Sequence, residues 1–400
     1  VLVVDQPRTA GVGTRLRVTT RLAGAAVDEL WFEVPRHVED MVTRRSDPFA
    51  VALVLPAMRL GVDLHLHGVV TDELLLRLNH EYQHLHRSAF PQYRAITVTS
   101  DDVAPPEAAG PGVAAGFSGG VDSYALLHDY FLDEDCPPSL RVTHWLFNNV
   151  GSHGAGKADA LFTRRLSDVR HALEPTRLPV IDVDSNVDAA YQLGRRHGHT
   201  AFLQTHTARN AAVAHLLAPG LGLWLYASSS HYRHMHVRPS STSSPSESIG
   251  LQLLSTSSLQ LRSVGGEYTR VDKTRVMADV PDAVNHLDVC IREEFDAPST
   301  NCSACFKCLR TIYALELLGL APPFFAAGTF DYRTYAEAKE DYEVTLLTPE
   351  AAPLEREIRQ LAGEVGHSFS LRSRARAVLA RMQAKVRRMV SLPIRPLRRR

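Results

Sequence analysis

The rhythm of apolar and polar positions changes near residue 112. Before it, residues 16–22 and 28–34 are rich in Val, Thr and aromatic side chains and predict strands. Residues 48–59 predict a helix. A second helix is expected over 72–88, where Leu74, Leu75, Leu78, Tyr82 and Leu85 return at steps of three and four. Asp72, following Thr71, is placed to cap it. Residues 1–105 are therefore expected to form a small mixed α+β unit. Five histidines here (His65, His67, His80, His84 and His86) have no carboxylate or Cys at ligand spacing and read as surface or core residues. The segment 101–112 (DDVAPPEAAGPG) is rich in Pro, Gly and acid and reads as a linker.

Beyond the linker, strands and helices alternate. Strands are expected at 113–117, 142–147, 178–183 and 221–227, and helices after Ser123 through Leu132, at 158–174 and at 208–217. This order predicts an α/β fold, a parallel sheet with helices on both faces. The core domain is set at 106–325, a helical extension at 326–370 and a tail at 371–400. A helix is expected at 310–318. The low-complexity segment 240–248 (SSTSSPSES) reads as a lid or a disordered insert.

Composition narrows the class. The 400 residues, 44% hydrophobic and 22% charged, suit a globular chain of two or three units. No apolar run reaches the roughly 18 residues that cross a membrane. The first residues, Val1 to Asp5, make no signal sequence, and a cytoplasmic location is expected. The formal net charge is zero, yet residues 371–400 hold 11 Lys+Arg and no acid, which leaves a balance of −11 on the rest. In that tail Val378, Leu379, Met382, Val386, Met389 and Val390 form an apolar stripe among Arg and Lys. Such a basic amphipathic helix suits RNA, a membrane surface or a partner protein, or packs on its own chain.

Two clusters carry the chemistry. Ser118, Gly119, Gly120, Val121, Asp122 and Ser123 follow an apolar strand and open a helix. A helix N-terminus offers free N–H groups and partial positive charge to phosphate. Two glycines let backbone approach the anion, Ser118 and Ser123 add hydroxyls, and Asp122 is suited to hold Mg²⁺. No Lys follows the glycines, so this is not the kinase and GTPase P-loop. The second cluster is Cys302, Cys305 and Cys308 in C-x-x-C-x-x-C spacing with Cys290 upstream. Four thiolates close a tetrahedral Zn²⁺ site of structural type, and an iron–sulfur cluster uses similar spacing.

The S-G-G-x-D-S loop resembles that of the PP-loop ATP pyrophosphatase family. With the downstream cysteines, the chain is similar to the 7-cyano-7-deazaguanine synthases of the queuosine pathway. Ala208-Arg209-Asn210 and Asp272-Lys273-Thr274 look like two further segments of that family. The resemblance covers roughly 113–320. It implies an adenine nucleotide alpha hydrolase-like core, ATP with Mg²⁺ as cosubstrate, AMP transfer to a carboxylate or carbonyl with release of pyrophosphate, and displacement of AMP by ammonia or an amine. Arg209 and Lys273 would assist with charge, and Asn148 and Asn149 could line the nucleotide pocket. The long N-terminal unit and C-terminal extension depart from a minimal member, so the expected substrate is another small carboxylic acid or a macromolecule, and homo-oligomerisation is open. Two rivals stand: a tRNA-modifying sulfurtransferase, for which only Cys136 lies near the loop in sequence, and a non-catalytic nucleotide-binding regulator.

Overall fold

A computed structural model of the chain describes residues 1–25, 27–152, 158–191, 198–292, 299–349 and 351–390. They divide into two compact units, Val1–Tyr268 and Thr269–Arg400. The glycine loop belongs to the first unit and the cysteine cluster to the second.

The first unit is α/β. Among the described residues its strands are β1 (Leu2–Val4), β2 (Arg8–Val12), β3 (Arg15–Ala23), β4 (Glu29–Pro35), β5 (Leu64–Thr71), β6 (Val98–Ala104), β7 (Gly112–Gly116), β8 (His144–Asn148), β9 (Val180–Ser185), β10 (Leu221–Ala227) and β11 (Gln260–Val264). They form one sheet ordered β11-β10-β7-β8-β9-β4-β3-β1-β5-β6, with β2 added on β3. Strands β11, β10, β7, β8 and β9 run parallel, and so do β1, β5 and β6. Antiparallel pairing of β4 with β9, Phe32 opposite Ser185 and Glu33 opposite Asp184, joins the two halves. Residues 1–105 therefore add strands to the same sheet as residues 112–264. Arg15 reinforces the seam, with Nη1 2.5 Å from Asp182 and Nε 3.4 Å from Glu33.

The helices of this unit are α1 (Asp47–Leu60), α2 (Asp72–Arg77), α3 (Gln83–Ala89), α4 (Val121–Leu127), α5 (Ala158–Leu173), α6 (Val187–Tyr191), α7 (Gly198–Leu216) and α8 (Glu247–Leu253). Helix α1 is apolar on every side and buried from Asp47 to Met58, as an interior helix must be. It packs between β5 and α7, so the N-terminal residues share a core with the helix carrying Arg209. The expected 72–88 helix is present, with a π-helical stretch at Leu78–Tyr82 between α2 and α3. Thr71, not Asp72, is its N-cap residue; Asp72 is the first helical position.

Two further expectations are corrected. The acidic start of the supposed linker belongs to β6, an edge strand, and edges tolerate charge because it discourages pairing with another chain. The Ser-rich segment is folded: Ser243 and Ser246 are buried, Ser243 Oγ lies 3.0 Å from Thr207 Oγ1 and 3.1 Å from His206 Nε2, and Glu247 opens α8.

The second unit is helical: α9 (Arg270–Asp279), α10 (Ala283–His286), α11 (Phe306–Leu317), α12 (Ala321–Ala326), α13 (Tyr332–Leu347), α14 (Pro353–Glu364) and α15 (Leu371–Val390). A capping box of Thr269 and Asp272 starts α9. Arg310 reaches Glu355 at 2.5 Å and ties α11 to α14. The tail is helix α15, held to α13 by Ser373 donating to Glu343 at 2.6 Å and Arg376 at 2.9 Å from Glu340. Its Leu371, Val378, Leu379 and Met382 are exposed. The side chains of Lys385, Val386, Arg387, Arg388, Met389 and Val390 lie outside the described residues. No helix among the described residues is long and apolar enough to cross a membrane.

Candidate functional site

The five parallel strands β11, β10, β7, β8 and β9 define a reversal. From β7 the chain steps outward through β8 and β9, then returns to the other side of β7 to add β10 and β11. Strand order thus reverses between β7 and β10. In open parallel sheets the crevice at the carboxyl ends of such strands receives ligands, because neighbouring loops diverge there. The S-G-G-V-D-S loop leaves β7 at that point.

Local geometry fits the glycines. Gly119 has φ +74°, a left-handed conformation strained for a residue with a Cβ. Gly120 is the N-cap residue of α4, and the helix continues in π-helical form over His128–Leu132. Ser118 and Ser123 come together: the Ser118 N–H donates to Ser123 Oγ at 3.0 Å, and the two hydroxyls are 3.0 Å apart. Ser118 is exposed and Ser123 buried. Asp122 is half-buried on the first turn, with Val121 buried beside it.

Further polar groups gather on the β8 and β10 sides. Asn148, at the end of β8, donates through Nδ2 to Asn210 Oδ1 at 3.0 Å, while its own Oδ1 is buried without a partner among the described residues. Asn149 donates to Asp184 at 2.7 Å. His206 Nδ1 lies 2.7 Å from the Tyr226 hydroxyl. Burial pushes the Tyr226 phenol well above its usual range, and the charges of Glu247 and Asp122 push it further. Tyr226 is thus a neutral hydrogen-bonding group facing the acidic side of the loop. His206, Tyr226 and Glu247 were missed in the sequence, and Asn210 was named there only within the Ala208-Arg209-Asn210 segment. The available signal was the four-residue spacing of His206 and Asn210, which puts both on one face of α7.

Arg209 has a different setting from the one expected. It is 1% exposed, its Nη1 lies 2.6 Å from Asp188 and donates to the Val150 carbonyl at 3.0 Å, and its Nε donates to Thr205 at 2.9 Å. The guanidinium also stacks 4.0 Å from the Tyr191 ring. These partners hold Arg209 as an anchor of α7. Lys273 belongs to the second unit and is buried on α9. Cys136, by contrast, stays in the first unit as a buried thiol pushed up chiefly by burial, the opposite of an activated nucleophile.

In the second unit Cys290, Cys302, Cys305 and Cys308 are all buried, with sulfurs within 4.8 Å of one another. Cys302 and Cys308 sulfurs are 3.8 Å apart and those of Cys305 and Cys308 3.4 Å. A tetrahedron with Zn–S bonds of about 2.3 Å needs edges of about 3.8 Å. Cys305 is the N-cap residue of α11, where the helix terminus favours a thiolate. Sulfur hydrogen bonds from Cys290 and Cys308 draw the Cys305 thiol far below its usual range, and Cys290 and Cys305 drive Cys308 upward. The four thiols can hold a metal ion such as zinc.

Comparison of the chain with protein-family models, curated proteins and solved structures gives no match. The geometry of the loop and of the cysteines is therefore the basis for a functional reading.

Proposed function

We propose that the chain is an ATP pyrophosphatase of the PP-loop type, which uses Mg²⁺ and ATP to adenylate a carboxylate or carbonyl oxygen and releases pyrophosphate. Ammonia or an amine then displaces AMP, chemistry like that of the 7-cyano-7-deazaguanine synthases on a different small acid. The observation that carries this reading is the S-G-G-V-D-S loop at the strand-order reversal, with Gly119 in its left-handed conformation and the Ser118 and Ser123 hydroxyls paired.

Each residue then has a task. The N–H groups of Gly119 to Asp122 and the two serine hydroxyls cradle the terminal phosphates. Asp122 holds the metal, which supplies charge neutralisation on the phosphate oxygens when bound. The orphaned Asn148 Oδ1 accepts a hydrogen bond from the nucleotide or acid. A carboxylate alone expels oxide badly; as a mixed anhydride with AMP it carries a good leaving group, and the site contributes by positioning and charge. Cys290, Cys302, Cys305 and Cys308 hold a structural Zn²⁺ with no position left for water. The buried Cys136 weighs against sulfur transfer.

A pyrophosphate-release screen over candidate acids with ammonia tests this, with Asp122→Ala as control. The expected result is release with at least one acid, reduced at least 100-fold in the folded variant. Nucleotide binding without release for any acid would favour a regulatory role, and full activity in the variant would remove the metal role of Asp122.

A further inference from the structure

On β5, His65 and His67 alternate with the buried Leu64 and Leu66 and so point to the other, solvent-facing side of the sheet. The neighbouring edge strand β6 brings Asp101 to them. The strands run parallel with His65 opposite Thr99 and Leu66 opposite Ser100, and the register then shifts so that Val69 meets Asp102. His67 and Gly68 together therefore face Asp101, as in a β-bulge, which re-aims side chains and is over-represented near functional sites. Gly68 permits it with φ +108°, and a Cβ there would stand 3.0 Å from Ser46 Oγ. The bulge is fixed from two sides, by Ser46 Oγ donating to the His67 carbonyl at 3.1 Å and Ser100 Oγ donating to the Gly68 carbonyl at 2.8 Å.

We propose that His65 Nε2, His67 Nδ1 and the Asp101 carboxylate form a binding site for a divalent first-row cation, zinc in the first instance, with a coordination position open to water. The donor atoms already converge: Asp101 Oδ1 lies 3.0 Å from His65 Nε2, Asp101 Oδ2 lies 2.7 Å from His67 Nδ1, and all lie within 4.8 Å of one another. A tetrahedral ion with bonds of about 2.0 Å spaces its ligands about 3.3 Å apart. The two imidazole–carboxylate distances lie within a few tenths of an ångström of that spacing, and the ion would replace those hydrogen bonds with coordination. Thr99 completes the arrangement, its Oγ1 2.9 Å from His65 Nδ1. When Nδ1 donates its proton there, the lone pair of Nε2 is left for the metal, the usual outer support of a ligating histidine.

The site differs from the cysteine cluster in kind. Its side chains are 29%, 44% and 52% exposed for His65, His67 and Asp101, so solvent reaches the ion. Two imidazoles and one carboxylate leave a tetrahedral zinc with a fourth place for water or an incoming oxygen ligand, whereas four thiolates do not. A surface His–Asp pair by itself adds little stability and requires no bulge to aim it.

Cobalt(II) titration of the metal-free full chain under reducing conditions separates the two sites. The expected result is two equivalents bound per chain, one with intense thiolate-to-cobalt absorption and one with only the weak bands of a nitrogen and oxygen site. His67→Gln and Asp101→Asn should each abolish the second equivalent and keep the thiolate band, with unchanged resistance of Val1–Tyr268 to limited proteolysis as the check that this unit stays folded. Thr99→Val should weaken the second equivalent by about 10- to 100-fold, and Thr99→Ser should restore it. Zinc should displace cobalt from both sites. Absence of a sulfur-free equivalent in the wild-type chain, or its persistence in both His67→Gln and Asp101→Asn, would overturn the proposal.

Discussion

Histidines of similar appearance in the sequence end in opposite environments. His86 is enclosed by Tyr82, Phe90 and Tyr93, with ring centroids 6.2, 4.7 and 4.4 Å away, and burial lowers its pKa to about 3. An unfolded histidine takes up its proton near 6.5. Between these values the unfolded chain binds more protons than the folded one, so stability is full above about pH 6.5 and falls as pH drops toward 3. The slope from this residue approaches about 1.4 kcal/mol per pH unit. His86→Phe should flatten the acid side of a stability profile measured by urea unfolding from pH 7 to pH 4. An unchanged slope would exclude His86 as its source. The helical repeat around His86 was legible, but whether its ring was core or surface stayed open in the sequence. The partnership of His65 and His67 was not legible, because Asp101 is 34 residues beyond His67 and reaches it only across a strand pair.

At the scale of elements, helix α7 shows how neighbouring residues of one segment take different tasks. Ala208-Arg209-Asn210 does lie on a helix beside the site, and Asn210 does touch Asn148. Arg209, however, pins α7 to α6 and to the chain after β8. Removing one partner of a buried pair costs about 3–5 kcal/mol, and the lower end applies here since Asp188 is 33% exposed. Arg209→Ala should therefore lower the free energy of unfolding by about 3 kcal/mol in urea titrations; turnover lost with stability intact would restore a direct catalytic role. Short strands were the least legible elements. β11 (QLRSV) pairs with β10 along one side only and needs few apolar residues. The Ser-rich segment escaped because its order comes from side-chain hydrogen bonds to His206 and Thr207, which leave no apolar period.

For the molecule as a whole, the alternating core from β7 to β10 was readable because each buried parallel strand is a continuous apolar run between turn residues. The ordering of strands, and with it the placement of the glycine loop at the reversal, was not, since nothing local specifies which side of β7 receives β10. The two-unit division follows where apolar contacts are shared. Helix α1 draws the first 105 residues into one core with α7, while the cysteines stay with the helices after Thr269. A cysteine-bound metal adds its binding energy to the unit that contains it. A strong chelator should thus melt helices of the second unit and leave Val1–Tyr268 resistant to limited proteolysis. Unchanged helicity with all zinc removed, checked by metal analysis, would show that the cysteines do not support that unit.

The short antiparallel seam between β4 and β9 has a practical consequence. Without β4 the parallel strands would end at β9 in a bare rim, with unsatisfied backbone groups open to any extended chain. Trimming away the leading 105 residues would return that rim to solvent.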